Sequence, residues 1–372
     1  MAIEEVLARR GPRKLLALDG GGIRGIISLE VLAAIEALLQ KSLGRDDSFT
    51  LAEYFDYIGG TSTGAIIATC LSLGMRVDHV RHFYLTGAHE MFAKARWRDR
   101  LRYKYDYANL ERLLREQYGS ETTLGSDKLR TLLLLVMRNA STNSPWPVSN
   151  NPRARYNAPD RADCNLNLPL WKLVRASTAA PGYFEPELVE LGERSFVFVD
   201  GGVTPFNNPA FQMFLMATLP EYRLGWTAGK DEMLVVSIGT GGNTRHESAR
   251  TPRQMTLLYD AKSVPNALIA ASMREQDLLC RVFGDCRLGE AIDSEVGDLK
   301  GTAAAGWPKL FSYVRFDVDL SEGGLKRLGL EQVRVNDVQA LDSVEHVAEL
   351  RQVGERLAQQ VQPELFSGFL AG

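Results

Sequence analysis

The sequence predicts an α/β fold in which a mostly parallel sheet is flanked by helices. Short apolar runs of strand length alternate along the chain with longer segments that have the pattern of helices. Such alternation is typical of parallel sheets with helical crossovers. The glycine clusters follow predicted strands, at the sheet edge where ligands bind in such folds. With 45% hydrophobic and 24% charged residues, the composition supplies enough apolar material for a large core.

The predicted strands are short and apolar, and most of them run into glycine or an acidic residue. They cover residues 14–18, 54–58, 131–137, 195–199 and 233–238. The predicted helices lie at residues 26–43, 65–73, 77–92, 107–118 and 170–178. Residues 142–160 are rich in Asn, Pro and Ser, so we predict a loop that is long enough to serve as a lid or binding segment.

The pattern changes near Asn243, which divides the chain into two parts. Residues 14–242 contain the motifs described below and are predicted to form the catalytic domain. Residues 243–372 are expected to pack on the same domain as a helical and strand elaboration, which would also be the place for regulation. In this part we predict a helix at 253–283, a strand at 310–320 and one long charged amphipathic helix at 335–361.

Charge and composition exclude several classes of protein. A net charge of −3 over 372 residues gives no sign of a partner that is a nucleic-acid polymer. The first residues lack the apolar segment of a secretory signal, and no apolar run reaches the roughly 18–20 residues that span a bilayer. We therefore expect a cytoplasmic location. The four cysteines form no C-x-x-C pair, so neither a zinc site nor a disulfide framework is indicated.

The sequence GTSTG places Ser62 in the pattern G-x-S-x-G, between a predicted strand and a predicted helix. This is the context of a nucleophile elbow, where a serine is held out on a sharp turn. Gly60 and Gly64 remove side chains that would collide across that turn. The following helix directs its positive end towards the serine. We predict that Ser62 is a nucleophile, with a simple turn and helix cap as the alternative.

A nucleophilic serine needs a base, and Asp200 is the first candidate. It ends the apolar run FVFV and precedes two glycines, so it lies at the active edge of the predicted sheet. From there it would accept the serine proton directly, or act only as a turn cap. The alternative is a triad of Ser62, Asp200 and His246, which has the residue order of α/β-hydrolases. In that fold, however, several strands precede the serine, and here only two do.

The segment LALDGGGIRG has two interpretations. Gly20, Gly22 and Gly25 fit the dinucleotide pattern G-x-G-x-x-G, and they also fit a turn whose N–H groups receive an oxyanion. A dinucleotide site needs an acidic residue about 20 positions further on, at the end of a strand. Asp46 and Asp47 have the right charge, but no predicted strand precedes them. The nearby serine turn therefore favours the oxyanion interpretation.

The motifs DGGGIRG, GTSTG and DGG, in this order, resemble those of the patatin-like phospholipase family in its bacterial form. The blocks ASTAAPGYF, NNP and SIGTG agree with it, and the resemblance covers residues 14–242. It implies a patatin-like three-layer sandwich and the hydrolysis of phospholipid or lysophospholipid esters through an acyl-enzyme. It also implies that no metal and no cofactor takes part.

Carried over by position, the resemblance makes Ser62 the nucleophile and Asp200 the base of a Ser–Asp dyad. The oxyanion hole would consist of Gly20, Gly21 and Gly22, with Arg24 beside it. The residues expected to support these motifs are Gly60, Gly64, Gly25, Pro181, Gly201 and Gly202. Some bacterial relatives are lipases that a nucleotide signal turns on in phage defence, which implies a cyclic-nucleotide activator and an antiviral role. A switched lipid-binding module without catalysis is the remaining rival.

The segment KARWRDRLRYKY alternates basic and other residues from 94 to 105. Arg96, Trp97, Arg98 and Arg100 would contact anionic headgroups while the aromatic rings enter the interface. A membrane-associated state, formed transiently, is the corresponding expectation. An exposed basic connector is the alternative. The sequence leaves the oligomeric state open, with a homo-oligomer among the options.

Overall fold

The computed structural model describes residues 2–94, 103–242, 257–302 and 306–370. These residues form a three-layer α/β sandwich around a mostly parallel sheet of nine strands. Strands β1 to β9 are Arg13–Leu18, Tyr57–Thr61, Leu132–Asn139, Ser144–Ser149, Glu187–Leu191, Arg194–Asp200, Met233–Ile238, Asp285–Leu288 and Ser312–Phe316. Their order is β5-β6-β3-β2-β1-β7-β9-β8, and β4 pairs with β3. From β3 to β8 all neighbours are parallel, whereas β4, β5 and β6 pair antiparallel.

Helices cover both faces of this sheet. Helices α1 to α12 are Ala2–Ala8, Gly25–Ser42, Leu51–Tyr54, Thr63–Ser72, Val77–Met91, Tyr107–Tyr118, Leu170–Ser177, Ala210–Thr218, Leu257–Phe283, Glu322–Arg327, Val335–Gln339 and Val347–Ala358. Two 3-10 turns, Gly22–Arg24 and Gly201–Val203, follow β1 and β6. Both turns therefore lie where a strand ends, at the edge predicted to bind ligands.

The alternation of side chains along β1 divides the core into two layers. Leu16 and Leu18 lie in the apolar cluster that also contains residues of α2, α4 and α12. Leu15 and Ala17 lie in the second cluster, with residues of α8. Because both faces of the strand are buried there, residues 15–18 are all apolar rather than alternating with polar ones, as is usual in parallel sheets.

The residues after 257 extend the same sheet. Strand β9 pairs with β7 in parallel, and β8 pairs with β9. Helix α12 packs on α2, the helix that follows the first glycine cluster. The C-terminal part is thus in contact with the elements that contain the predicted motifs. The division at residue 242 and its regulatory role stay predictions.

Two short elements differ from the predictions. The predicted strand at 54–58 is wrong at its start, because Leu51–Tyr54 forms α3 and β2 begins only at Tyr57. A capping box explains the helix, since the Glu53 side chain accepts the backbone N–H of Thr50 at 3.0 Å. The predicted loop at 142–160 is wrong over Ser144–Ser149, which is β4. Its prolines leave alternate positions free to pair with β3, as edge strands allow.

The predicted long helix at 335–361 is also wrong. Helix α11 ends at Gln339 and α12 begins at Val347; the crossing segment, residues 340–343, and the 3-10 turn Val344–His346 lie between them. The Leu341 carbonyl in this crossing accepts the N–H of Ile23 at 2.9 Å, and the Asp342 carboxylate binds Lys104. These tertiary contacts override a helical periodicity that is continuous in the sequence.

Among the helices of the described ranges, none combines the length and apolar character that crossing a bilayer requires.

Candidate active site

Ser62 occupies the single residue between β2 and α4. Its backbone has φ 55, a strained conformation for a residue with a side chain. A Cβ on Gly60 would overlap the Gly64 carbonyl, and a Cβ on Gly64 would overlap the Leu18 carbonyl. The turn therefore requires glycine at both positions, and it presents the serine hydroxyl at the start of a ten-residue helix.

Further contacts hold this turn in place. The Ser62 N–H donates to the Ser177 hydroxyl at 2.9 Å, and that hydroxyl donates to the Val136 carbonyl on β3. Ser177 is the last residue of α7, within the sequence block ASTAAPGYF. Sequence reasoning did not single out Ser177, although it lies in a block that was noted. Its contact connects the serine turn to the neighbouring strand.

Asp200 ends β6 directly opposite the serine. Its Oδ2 accepts the Ser62 hydroxyl at 2.7 Å, and its Oδ1 accepts the Gly202 N–H at 2.6 Å. The Asp200 N–H donates to the Ala179 carbonyl at 3.0 Å. Both carboxylate oxygens and the backbone N–H of Asp200 are therefore held, and Oδ2 is the oxygen that contacts the serine.

The carboxyl group of Asp200 is buried, which changes its acidity. Burial raises the pKa of Asp200 to about 6, while the hydrogen bonds from Ser62 and Gly202 act in the opposite direction. At neutral pH the group is still mostly ionised. A carboxylate with a pKa close to the working pH is suited to take a proton from a hydroxyl.

The glycine turn, residues 20–22, lies beside the serine. The Gly20 N–H donates to the Asn207 carbonyl at 3.2 Å, and the Thr240 hydroxyl donates to the Gly20 carbonyl at 2.9 Å. A Cβ on Gly20 would come within 3.2 Å of the Ser62 Cβ. The structure thus brings the motifs DGGGIRG and GTSTG into contact. Asn207 and Thr240 support the glycine turn, a role that sequence reasoning did not assign to them.

The N–H groups of this turn have different partners. Gly20 donates to Asn207 and Ile23 donates to Leu341, whereas within the described residues the N–H groups of Gly21 and Gly22 have no hydrogen-bond partner. Free N–H groups next to a serine hydroxyl are the arrangement that receives a developing oxyanion.

Arg24 follows the turn and is largely enclosed. Its Nε and Nη1 make long hydrogen bonds to the carbonyls of Gly21 and Gln339, at 3.4 and 3.3 Å. Burial lowers the pKa of Arg24 to about 10, so the guanidinium remains positive at neutral pH. Among the described residues it forms no ion pair with a carboxylate within 4 Å.

A cavity of about 630 Å³ opens over these groups and is lined by Ser62, Asp200 and the glycine turn. Elements α4, α5 and α6 and the segment after α7 contribute apolar lining, namely Ile66, Tyr84, Met91, Phe92, Leu110, Pro181 and Phe184. Helix α9 and strand β9 contribute charged lining, including Arg274, Asp277 and Arg315. An amphiphilic molecule with an ester suits such a lining.

The remaining predicted residues have separate positions. A Cβ on Gly25 would lie 2.6 Å from the Thr63 hydroxyl, and a Cβ on Gly201 would overlap the Val136 carbonyl. His246 and the predicted membrane contacts Arg96, Trp97, Arg98 and Arg100 lie outside the described residues. All four cysteines are buried and free.

The chain is similar to a known family and to several of its members. The family model described as patatin-like phospholipase matches residues 16–214. The chain is 32% identical over 243 residues to an intracellular phospholipase A2 of Caenorhabditis elegans, covering 63% of this chain and 20% of that protein. It is 30% identical over 255 residues to patatin-like protein 4 of Arabidopsis thaliana, covering 63% and 60%. It is 29% identical over 249 residues to a cGAMP-activated phospholipase of Escherichia coli, covering 64% and 65%. The matched region is less than two thirds of each of these relatives.

Proposed function

The chain belongs to the patatin-like phospholipase family, and we propose that it is a serine hydrolase that releases fatty acids from phospholipids or lysophospholipids. The observation that carries the proposal is the 2.7 Å hydrogen bond from the Ser62 hydroxyl to Asp200 Oδ2. In that arrangement a serine and a base are already in contact inside a largely apolar cavity.

The proposed reaction has two steps. As Ser62 Oγ attacks the ester carbonyl, Asp200 takes the hydroxyl proton and the N–H groups of Gly21 and Gly22 stabilise the oxyanion. Asp200 returns that proton to the departing alcohol, which leaves an acyl group on Ser62. Water then gives a proton to Asp200 and attacks the acyl-enzyme. As the second tetrahedral intermediate collapses, Asp200 returns this proton to Ser62 Oγ and the fatty acid leaves.

The cavity lining supports a lipid substrate. Its apolar side chains would accept a fatty acyl chain by removing its methylene groups from water. Among the described residues the Arg24 guanidinium makes only long backbone hydrogen bonds, and it would attract a headgroup phosphate. Because an ester carries an alcohol leaving group, one carboxylate suffices as acid and base. We therefore propose the direct dyad in preference to a triad with His246.

A cyclic-nucleotide activator and a role in phage defence belong to the same proposal. Their support is the likeness to the Escherichia coli protein named as a cGAMP-activated phospholipase. A transient approach to the membrane surface, in the cytoplasm, follows from a substrate that resides in the bilayer. The basic segment around Arg98 is the proposed contact.

The test is to incubate the purified full chain with phosphatidylcholine–phosphatidylglycerol vesicles, or with lysophosphatidylcholine, with and without cGAMP. We expect the wild type to release fatty acid and Ser62→Ala to release none. Ser120→Ala, which changes an exposed serine after α6, should match the wild type. Release that requires cGAMP supports the activator, and equal release without it contradicts that part. If the wild type releases no fatty acid under either condition, the lipase proposal is wrong.

A further inference from the structure

Arg315 connects the C-terminal part of the chain to the proposed active site. It lies on β9, outside the region that the family model matches, and its side chain is only 3% exposed. Its guanidinium holds Asp19 in a fork, with Nη1 donating to Oδ1 at 2.9 Å and Nη2 donating to Oδ2 at 2.6 Å. Asp19 is the residue directly before the glycine turn.

The same guanidinium makes two more contacts. Nη1 donates to the Ser237 hydroxyl at 2.7 Å, and Nη2 donates to Asp317 Oδ2 at 2.7 Å. Asp317 Oδ1 in turn accepts the N–H of Gly241 at 3.1 Å. One arginine therefore joins the ends of β1, β7 and β9, three neighbouring strands of the sheet.

Residues next to these contacts also hold the glycine turn. Asp19 directly precedes the turn. Thr240, which is next to Gly241, donates its hydroxyl to the Gly20 carbonyl at 2.9 Å. A Cβ on Gly21 would overlap the Thr240 hydroxyl, so the turn lies directly against this support. A shift of Asp19 or Thr240 would consequently move the N–H groups of Gly21 and Gly22.

The charges make Arg315 difficult to replace. Burial raises the pKa of Asp19 to about 7, and the attraction of Arg315 works against that rise. Burial by itself would lower the pKa of Arg315, but Asp19 and Asp317 hold it well above its ordinary value. Without the arginine, an acidic group would remain buried without its partner, a state that proteins avoid by protonation or by movement.

We infer that Arg315 is a positioning residue for the proposed hydrolysis, which fixes the glycine turn through Asp19 so that Gly21 and Gly22 face the oxyanion. It acts through other residues and need not touch the substrate. The inference rests on the proposed function for its oxyanion. The supporting observation is that Arg315, which lies beyond the residues that the family model matches, hydrogen-bonds to Asp19 and to the ends of β7 and β9 that hold the turn.

The experiment compares Arg315→Met and Arg315→Lys in the full chain, using a water-soluble chromogenic acyl ester and the rate of fluorophosphonate labelling of Ser62. We expect Arg315→Met to lower kcat by about 10²- to 10³-fold, the usual effect of losing an oxyanion donor, with KM changed by less than about threefold. Arg315→Lys keeps the charge but not the two-pronged hydrogen bond to Asp19, so it should recover only about a tenth of the wild-type kcat. Labelling should slow in parallel.

Arg13→Met is the matched control. Arg13 lies at the opposite end of β1 and pairs with Asp56 at 3.6 Å, so its loss affects stability without reaching the turn. We expect this variant to melt at a lower temperature with an unchanged kcat. A folded Arg315→Met with near wild-type kcat and labelling overturns the inference; if that variant does not fold, near wild-type values in Arg315→Lys, combined with the same in Asp317→Asn, overturn it.

The design separates this inference from the proposed function. Activity on the soluble ester without any release from vesicles would contradict the lipid assignment and leave Arg315 open to measurement. Normal activity of the Arg315 variants, beside an inactive Ser62→Ala, would contradict only the positioning role.

Discussion

Asp200→Asn is expected to lower kcat for fatty acid release by about 10²- to 10⁴-fold, the usual contribution of a general base. The asparagine carbonyl can still accept the Gly202 N–H that Asp200 Oδ1 accepts at 2.6 Å, so the local fold should persist. An amide cannot take the proton of Ser62, however. Steady-state kinetics on vesicles measures the loss, and thermal unfolding should show a variant at least as stable, because burial disfavours the charge of the original carboxylate.

Asp127→Asn serves as the control, since Asp127 is an exposed carboxylate away from the cavity.

The wild type should also lose activity as the pH falls below about 6, because the pKa of Asp200 is raised to about 6 and only its ionised form can act as a base. Each further pH unit should lower the rate about tenfold. A rate that remains constant from neutral pH to about pH 5, or an active Asp200→Asn, would speak against Asp200 as the base.

Gly22→Ala is expected to reduce kcat by about 10²- to 10³-fold, in line with the loss of an oxyanion donor. Gly22 has φ +60, and a Cβ there would overlap the carbonyl oxygen of Leu341 in the crossing segment 340–343. Because that oxygen belongs to the backbone and also accepts the Ile23 N–H, it cannot yield as a flexible side chain would. The turn has to move, and the N–H groups of Gly21 and Gly22 move with it.

Gly44→Ala isolates this effect. Gly44 has the same φ of +60 at the end of α2, but a Cβ there would meet nothing within 4 Å. Both variants carry the strain of a left-handed alanine, roughly 1–2 kcal/mol, and only Gly22→Ala adds the collision. Gly44→Ala should therefore have a lower melting temperature than the wild type but the same kcat, whereas Gly22→Ala should lose kcat as well. Equal activity of both variants would show that the glycine turn has no part in catalysis.

Local patterns explain what the sequence could predict. The strand–turn–helix around Ser62 lies within residues 57–72, and the apolar strand ending at Asp200 lies within residues 194–200. Their backbone requirements are visible in the sequence as glycines. The parallel sheet follows from the alternation of elements. The sequence therefore predicted both the fold class and the two side chains that the structure places 2.7 Å apart.

Contacts between distant segments explain what it could not predict. Leu341 lies more than 300 residues from Ile23, whose N–H it accepts, and no local periodicity signals that the helix must stop for this bond. Arg315 has no motif around it, and its role depends on β9 being the neighbour of β7. The error in the strand predicted at 54–58 has a local cause instead. The Thr50–Glu53 capping box was visible in the sequence and would have indicated α3.

The proposed mechanism requires that Ser62 becomes acylated during turnover. The most direct measurement is an acid quench in the steady state with an activated fatty acyl ester, whose fast first step lets the acyl-enzyme accumulate, followed by proteolysis and mass spectrometry. We predict a fatty acyl group on the peptide that contains Ser62, at up to one group per chain, and none in Ser62→Ala. Continued hydrolysis by Ser62→Ala, or an acyl group found on another residue, would contradict the mechanism.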